Sequence, residues 1–144
     1  PDALGWGKKL QARAAALGLS DRVPFPGLLS VEAKRGAFRG AEAFVLPSHQ
    51  ENFGTVVSEA MAAGTPVLIT DKVNIWREVE KSGSGLVAPD DTAGIVRLLQ
   101  GFLCLSAAER TEMGKSARAG FLQYFEMNKA METMNRALRE AARG

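Results

Sequence analysis

One stretch limits the fold more than any other. Residues 43–70 read AFVLPSHQENFGTVVSEAMAAGTPVLIT, two short apolar runs on either side of a helical pattern. The first run, Ala43 to Leu46, is continuously apolar and is stopped by Pro47, as expected for a strand buried on both faces of a parallel sheet. Val56, Val57, Ala60 and Met61 then recur at helical spacing from a start near Thr55, and Gly64 ends the helix before the second strand, TPVLIT. Strand, helix and strand at this spacing make a βαβ unit, which crosses over right-handed and gives a parallel sheet.

The flanking sequence continues the alternation. LQARAAAL, Leu10 to Leu17, is rich in helix formers and is followed by Gly18 as a helix stop. Val23 to Phe25 lies between prolines and is predicted as a short strand at a sheet edge or strand end. Ser30 is a candidate N-cap for a helix closing near Gly40. Beyond Asp71 the pattern predicts a short helix, a Gly/Ser turn and a strand at Leu86 to Val87. Helices follow over Thr92 to Leu105, Ala107 to Tyr124 and Asn128 to Ala142, with Ser106 and Asn128 as N-caps. The expected fold class is α/β, a doubly wound parallel sheet with terminal helices. One domain is expected over residues 1–144, with 106–144 as its helical C-terminal region.

Composition removes several functions. Eighteen Lys and Arg stand against 16 Asp and Glu and are dispersed, so no stripe for nucleic acid is predicted. Cys104 is the only cysteine, forms no internal disulfide and is expected to be a small buried hydrophobe. No apolar run reaches the ~20 residues of a membrane span, and a cytoplasmic location is the expectation. His49, the only histidine, has no metal-ligand pattern around it and reads as an exposed loop residue. Trp76 is expected to pack over the end of the sheet. Met127, Met131, Met134 and Leu138 form one helical stripe, read as a docking face, and the basic residues beside it are interleaved with acids.

Ligands of an open parallel sheet bind outside the carboxyl ends of its strands, where loops run into helix N-termini. PSHQENFG, Pro47 to Gly54, is such a loop. The N–H groups of Gly54 to Val57 and the positive end of the helix dipole suit an anion, a phosphate first. Glu51 lies in the loop and Glu59 about one turn into the helix, two acceptor-only groups suited to sugar hydroxyls. A second reading of the same spacing is an ordinary solvated Glu59, a first-turn acid at Glu51 and a plain turn glycine.

The wording of the segment adds to the spacing. AEAFVLPSHQENFGTVVSEAMAAGTPVLIT resembles the E-x7-E region of the family-four retaining glycosyltransferases of GT-B fold, LGLSDRVPFPGLL their V-x-F-x-G strand and loop, and SGSGLVAPDD their G-x-L-V-x-P-x-D turn. The resemblance covers most of Leu17 to Asp91. It implies a donor-binding domain that works with a nucleotide-diphosphate sugar, without a metal or other cofactor. Glu51 would meet the donor sugar as the catalytic-site carboxylate and Glu59 the ribose hydroxyls. The amides of Asn52, Phe53 and Gly54 would meet the sugar, those of Thr55 and Val56 the diphosphate, and Gly27, Leu28 and Leu29 would border the base. Phe53 either covers the sugar or plugs the loop into the core.

The reaction implied is sugar transfer to an acceptor hydroxyl with retention, assisted by the leaving diphosphate rather than by a Glu51/Glu59 acid and base pair. Glycan, polysaccharide or glycolipid synthesis is the setting that it suggests. Family members carry an Arg and a Lys on the diphosphate and a preceding N-terminal domain for the acceptor glycan or lipid-linked sugar. None of these is visible in this sequence, whose opening PD looks like the tail of an earlier G-x-G-P turn. These 144 residues alone are therefore expected not to catalyse transfer, and any membrane association is expected to run through the missing part. Two alternatives stand beside this reading: a non-catalytic nucleotide-sugar module that needs a partner chain, and a sugar-nucleotide epimerase of similar fold.

Overall fold

The computed structural model describes residues 5–126, so the helix expected over Asn128 to Ala142 and the methionine stripe lie outside the described residues. The chain forms two compact units, residues 1–34 and 35–144.

In the first unit, α1 spans Trp6–Ala16. It ends in paired bonds from Gly18 N–H to the Ala15 carbonyl (2.9 Å) and from Leu19 N–H to the Ala14 carbonyl (2.9 Å), the arrangement that a glycine just past the helix permits. Ala14 is its buried residue. The strand expected at Val23 to Phe25 is not formed: the segment is irregular and pairs with no strand among the described residues. Pro24 and Pro26 have no N–H to give a ladder, so the apolar character of Val23 and Phe25 is not enough to make a strand.

Helix α2, Val31–Gly40, starts where expected, with the Ala33 N–H donating to Ser30 Oγ at 3.2 Å. The second unit is then built on three parallel strands: β1 (Phe44–Leu46), β2 (Val67–Thr70) and β3 (Gly85–Ala88). Their spatial order is β1-β2-β3, with Phe44 beside Val67 and Val67 beside Gly85. Between them run α3 (Thr55–Ala62) and α4 (Trp76–Ser82), followed by α5 (Thr92–Cys104) and α6 (Ala107–Tyr124).

Side-chain alternation along β2 explains the layers. Val67 and Ile69 point into one core with Val57 and Met61 of α3, Val79 of α4 and Ala117 of α6. Leu68 points the other way, against Leu98 and Phe102 of α5. All four residues of β2 are buried, as a central strand covered on both faces must be. The doubly wound α/β class read from the sequence is the fold found. β1 departs from expectation in one respect: as the end strand of the sheet it leaves Val45 37% exposed, so it is not buried on both faces. Cys104 also departs, being exposed rather than buried. Leu98 and Phe102, four residues apart, take the inward stripe of α5, and Cys104, two beyond Phe102, falls on the outer side.

Helix starts are fixed by local chemistry. The Asp91 carboxylate accepts from the Gly94 N–H at the start of α5 (2.5 Å). At α6 a capping box joins Ser106 and Glu109, each side chain holding the other's backbone N–H. Among the described residues, no helix is long and apolar enough to cross a membrane.

Candidate functional site

The loop from Pro47 to Gly54 leaves the carboxyl end of β1 and enters α3 at Thr55, the place that the strand and helix pattern gives it. Its tip is tied to the next strand's loop. Glu51 forms an isolated parallel bridge with Val73, donating its N–H to the Lys72 carbonyl (3.1 Å) and accepting from the Asn74 N–H (3.1 Å). Thr70 Oγ1 anchors the same loop by donating to the Ser48 carbonyl at 2.5 Å. The backbone of Glu51 is thus positioned by the sheet and not left to a free loop.

The Glu51 carboxylate turns back to the helix entrance, where Oε1 accepts from the Gly54 N–H at 3.3 Å. Gly54 has φ +66, a left-handed conformation, and a Cβ there would lie 3.0 Å from Val73 Cγ1. The position requires glycine for conformation and for space at once. Two of the four N–H groups expected to face an anion are engaged: Gly54 by Glu51, and Val57 by the Gly54 carbonyl at 2.7 Å. The amides of Thr55 and Val56, as first and second residues of α3, have no carbonyl within the helix to bond. They are the donors left for a ligand, at the positive end of the helix dipole.

Glu59 lies one turn further along α3 and is half-buried, beside the buried Ser58 and Ala60. Asn52 is exposed at the loop tip. Phe53 is 55% exposed and meets Phe125 edge to face at 6.3 Å, so its ring is neither inside the core nor unpartnered. Glu51, Asn52, Phe53, Gly54, Thr55, Val56 and Glu59 therefore lie together along the loop and the first turns of α3, with Asn52, Phe53 and Thr55 exposed and Gly54 buried. Gly27, Leu28 and Leu29 belong to the first unit; Gly27 has φ +70 and Leu28 is 96% exposed. Trp76 opens α4, packs partly buried on the core as expected, and carries the Arg77 guanidinium over its ring at 4.4 Å.

A charged rim that sequence reading missed runs beside this surface. His49 follows β1, Asp71 and Lys72 follow β2, and Asp90 follows β3, so all four stand at the carboxyl edge of the sheet. His49 Nδ1 lies 2.9 Å from Asp90 Oδ2, and Lys72 Nζ lies 3.1 Å from Asp71 Oδ1 and 4.0 Å from Asp90 Oδ1. The Asp71 contact is an ion pair, since Oδ1 is buried with no aligned hydrogen-bond donor among the described residues. The hydrogen bond from His49, ahead of the Lys72 charge, holds Asp90 below the ordinary aspartate value. Asp71 holds the Lys72 ammonium above the ordinary lysine value. The signal available in the sequence was positional: each residue comes within four of the end of an apolar strand. Among the described residues, no group of three or more His, Cys, Asp or Glu side chains is gathered to hold a metal ion.

An open parallel sheet with a glycine-led helix start at its carboxyl edge defines a Rossmann-like α/β protein. The family model for glycosyl transferases group 1 matches residues 4–120, and the chain belongs to that family. It is 38% identical over 109 residues to a D-inositol 3-phosphate glycosyltransferase of Streptomyces avermitilis, covering 75% of this chain and 23% of that protein. It is 38% identical over 80 residues to a mannosylfructose-phosphate synthase of Agrobacterium fabrum, covering 56% of this chain and 18% of that one. The structure superposes on sucrose-phosphate synthase from Thermosynechococcus elongatus with a TM-score of 0.80 and 27% identity, over 93% of this chain and 34% of that one. The GT-B type of fold expected from the sequence is the one found, and the chain spans between about a fifth and a third of these relatives.

Proposed function

We propose that this chain is the donor-binding part of a glycosyltransferase that moves a sugar from a nucleotide-diphosphate donor to an acceptor hydroxyl with retention of configuration. The observation that carries the proposal is the pair of amides at Thr55 and Val56, unbonded among the described residues and set between Glu51 and Glu59 at the carboxyl edge of the sheet. The amides and the helix dipole stabilise charge that grows on the leaving diphosphate, where fixed donors contribute most. Glu51, its backbone fixed by Lys72 and Asn74, accepts hydroxyls of the donor sugar, and Glu59 accepts those of the ribose. Asn52, Phe53 and Gly54 border the sugar. No cofactor beyond the donor is invoked. The acceptor is a glycan or a lipid-linked sugar.

The test uses the full-length protein. Nucleoside diphosphates are screened for a rise in melting temperature, and transfer is assayed with the nucleotide sugars of those that bind. Glu51→Gln is expected to lower turnover by ~100-fold while leaving nucleoside diphosphate affinity within about twofold. Glu59→Ala is expected to weaken nucleotide binding by about tenfold, the loss of one charge-assisted hydrogen bond. Wild-type behaviour of both variants would sink the proposal.

A further inference from the structure

The amino ends of the strands, opposite the candidate donor site, hold a second feature. A groove of about 720 Å³ lies between the residues that precede β1 and β2 and one face of α6. That is within the range of small-ligand sites. Small residues open it: Gly114 of α6 is buried against the turn at Gly64, and a Cβ on Gly114 would lie 2.6 Å from the Gly64 carbonyl oxygen. Its lining carries three cations, Arg110, Lys115 and Arg118, against one carboxylate, Glu42.

Two of the cations are fixed in place. Arg110 donates from Nε to the Leu105 carbonyl (3.2 Å) and from one terminal nitrogen to that of Leu103 (2.9 Å), and its guanidinium stacks 4.9 Å over the Phe102 ring. Its other terminal nitrogen meets Glu42 at 2.5 Å. Arg118 donates to the Ala62 carbonyl at 2.9 Å and stacks 5.5 Å from the Phe121 ring. Among the described residues Arg118 has no carboxylate partner, and one bond leaves most of its five N–H donors unspent. Among the described residues Lys115, one turn before Arg118, pairs only with the exposed Glu112 at 3.1 Å, a contact that water weakens.

A guanidinium already held in position with donors and charge to spare, as that of Arg118 is, matches the fork of phosphate oxygens and needs little ordering to bind it. We propose that this groove is a second ligand site, for a phosphorylated small molecule whose phosphate lies between Lys115 and Arg118. The site is separate from the donor site and independent of it, since the two stand at opposite edges of the sheet. Glu42 competes with the ligand for Arg110.

Calorimetric titration of the full-length protein with inorganic pyrophosphate tests the site. Among the binding events, one is expected that weakens at least tenfold in Arg118→Gln and at least threefold in Lys115→Gln. Both altered groove residues are exposed, so these variants are expected to fold. Glu42→Gln, which removes the competing carboxylate, is expected to tighten the same event, a gain that misfolding cannot imitate. Absence of the event, or an event indifferent to Arg118→Gln and Lys115→Gln, overturns the proposal.

Discussion

Gly54 connects the sequence to the site through a single missing atom. Its left-handed backbone and the 3.0 Å approach of Val73 Cγ1 mean that an added methyl is strained and crowded together. Gly54→Ala is expected to cost about 2 kcal/mol in urea unfolding, the sum of the left-handed penalty and local overpacking. Gly36→Ala serves as the contrast: it lies within α2, a Cβ there meets nothing within 4 Å, and the change is expected to stabilise by roughly 0.5 kcal/mol. Equal effects at the two positions would remove the structural reason for glycine at the helix entrance. The need for a glycine at Gly54 was legible from a loop entering a helix, but its contact with Val73 was not, because Val73 arrives from a different strand's loop.

At the scale of the element, side-chain caps mark the starts of α2, α5 and α6. Ser106 and Glu109 hold each other's N–H groups at the start of α6, and Ser106→Ala is expected to cost about 1 kcal/mol of stability. The same contact sets a pH dependence. Hydrogen bonds from the Ser106 side chain and backbone lower the Glu109 pKa below its ordinary 4.5. A lowered folded-state pKa contributes stability that is present above the ordinary value and is lost as pH falls through the folded one. Melting temperature followed from about pH 7 to about pH 3 should therefore fall less steeply in Ser106→Ala than in the wild type. An identical slope would mean that the capping box does not form. The cap at Ser106 was read from the sequence, because it and its partner are three residues apart, as Asp91 and Gly94 are at the start of α5.

For the molecule as a whole, the buried middle strand joins the two cores. Leu68 faces α5 and Ile69 faces α3 and α6, and each is fully enclosed. Leu68→Ala and Ile69→Ala are each expected to destabilise by about 3 kcal/mol. Val45→Ala on the half-open β1 is expected to cost less than about 1 kcal/mol. Comparable losses at all three would contradict the assignment of β2 as the central strand. The sheet also separates two regions: Glu51, Glu59 and the amides that open α3 lie toward its carboxyl edge, and the basic groove lies at its amino edge.

Sequence alone determined the βαβ core, the caps at Ser30 and Ser106, the loop that enters α3 and the positions of the two carboxylates flanking its entry. Each of these depends on residues a few positions apart, whose period and capping chemistry act locally. It misjudged Val23 to Phe25, where two missing N–H groups outweighed apolar character, and Cys104, whose place on α5 depended on which stripe the sheet claimed. Only the tertiary structure decided that VLIT is central while FVL is an edge, since both read as equal apolar runs. It also joined His49 to Asp90 across 41 residues and Arg110 to Glu42 across 68. Contacts at such separations are created by strand pairing and helix packing, and no local pattern in the chain carries them.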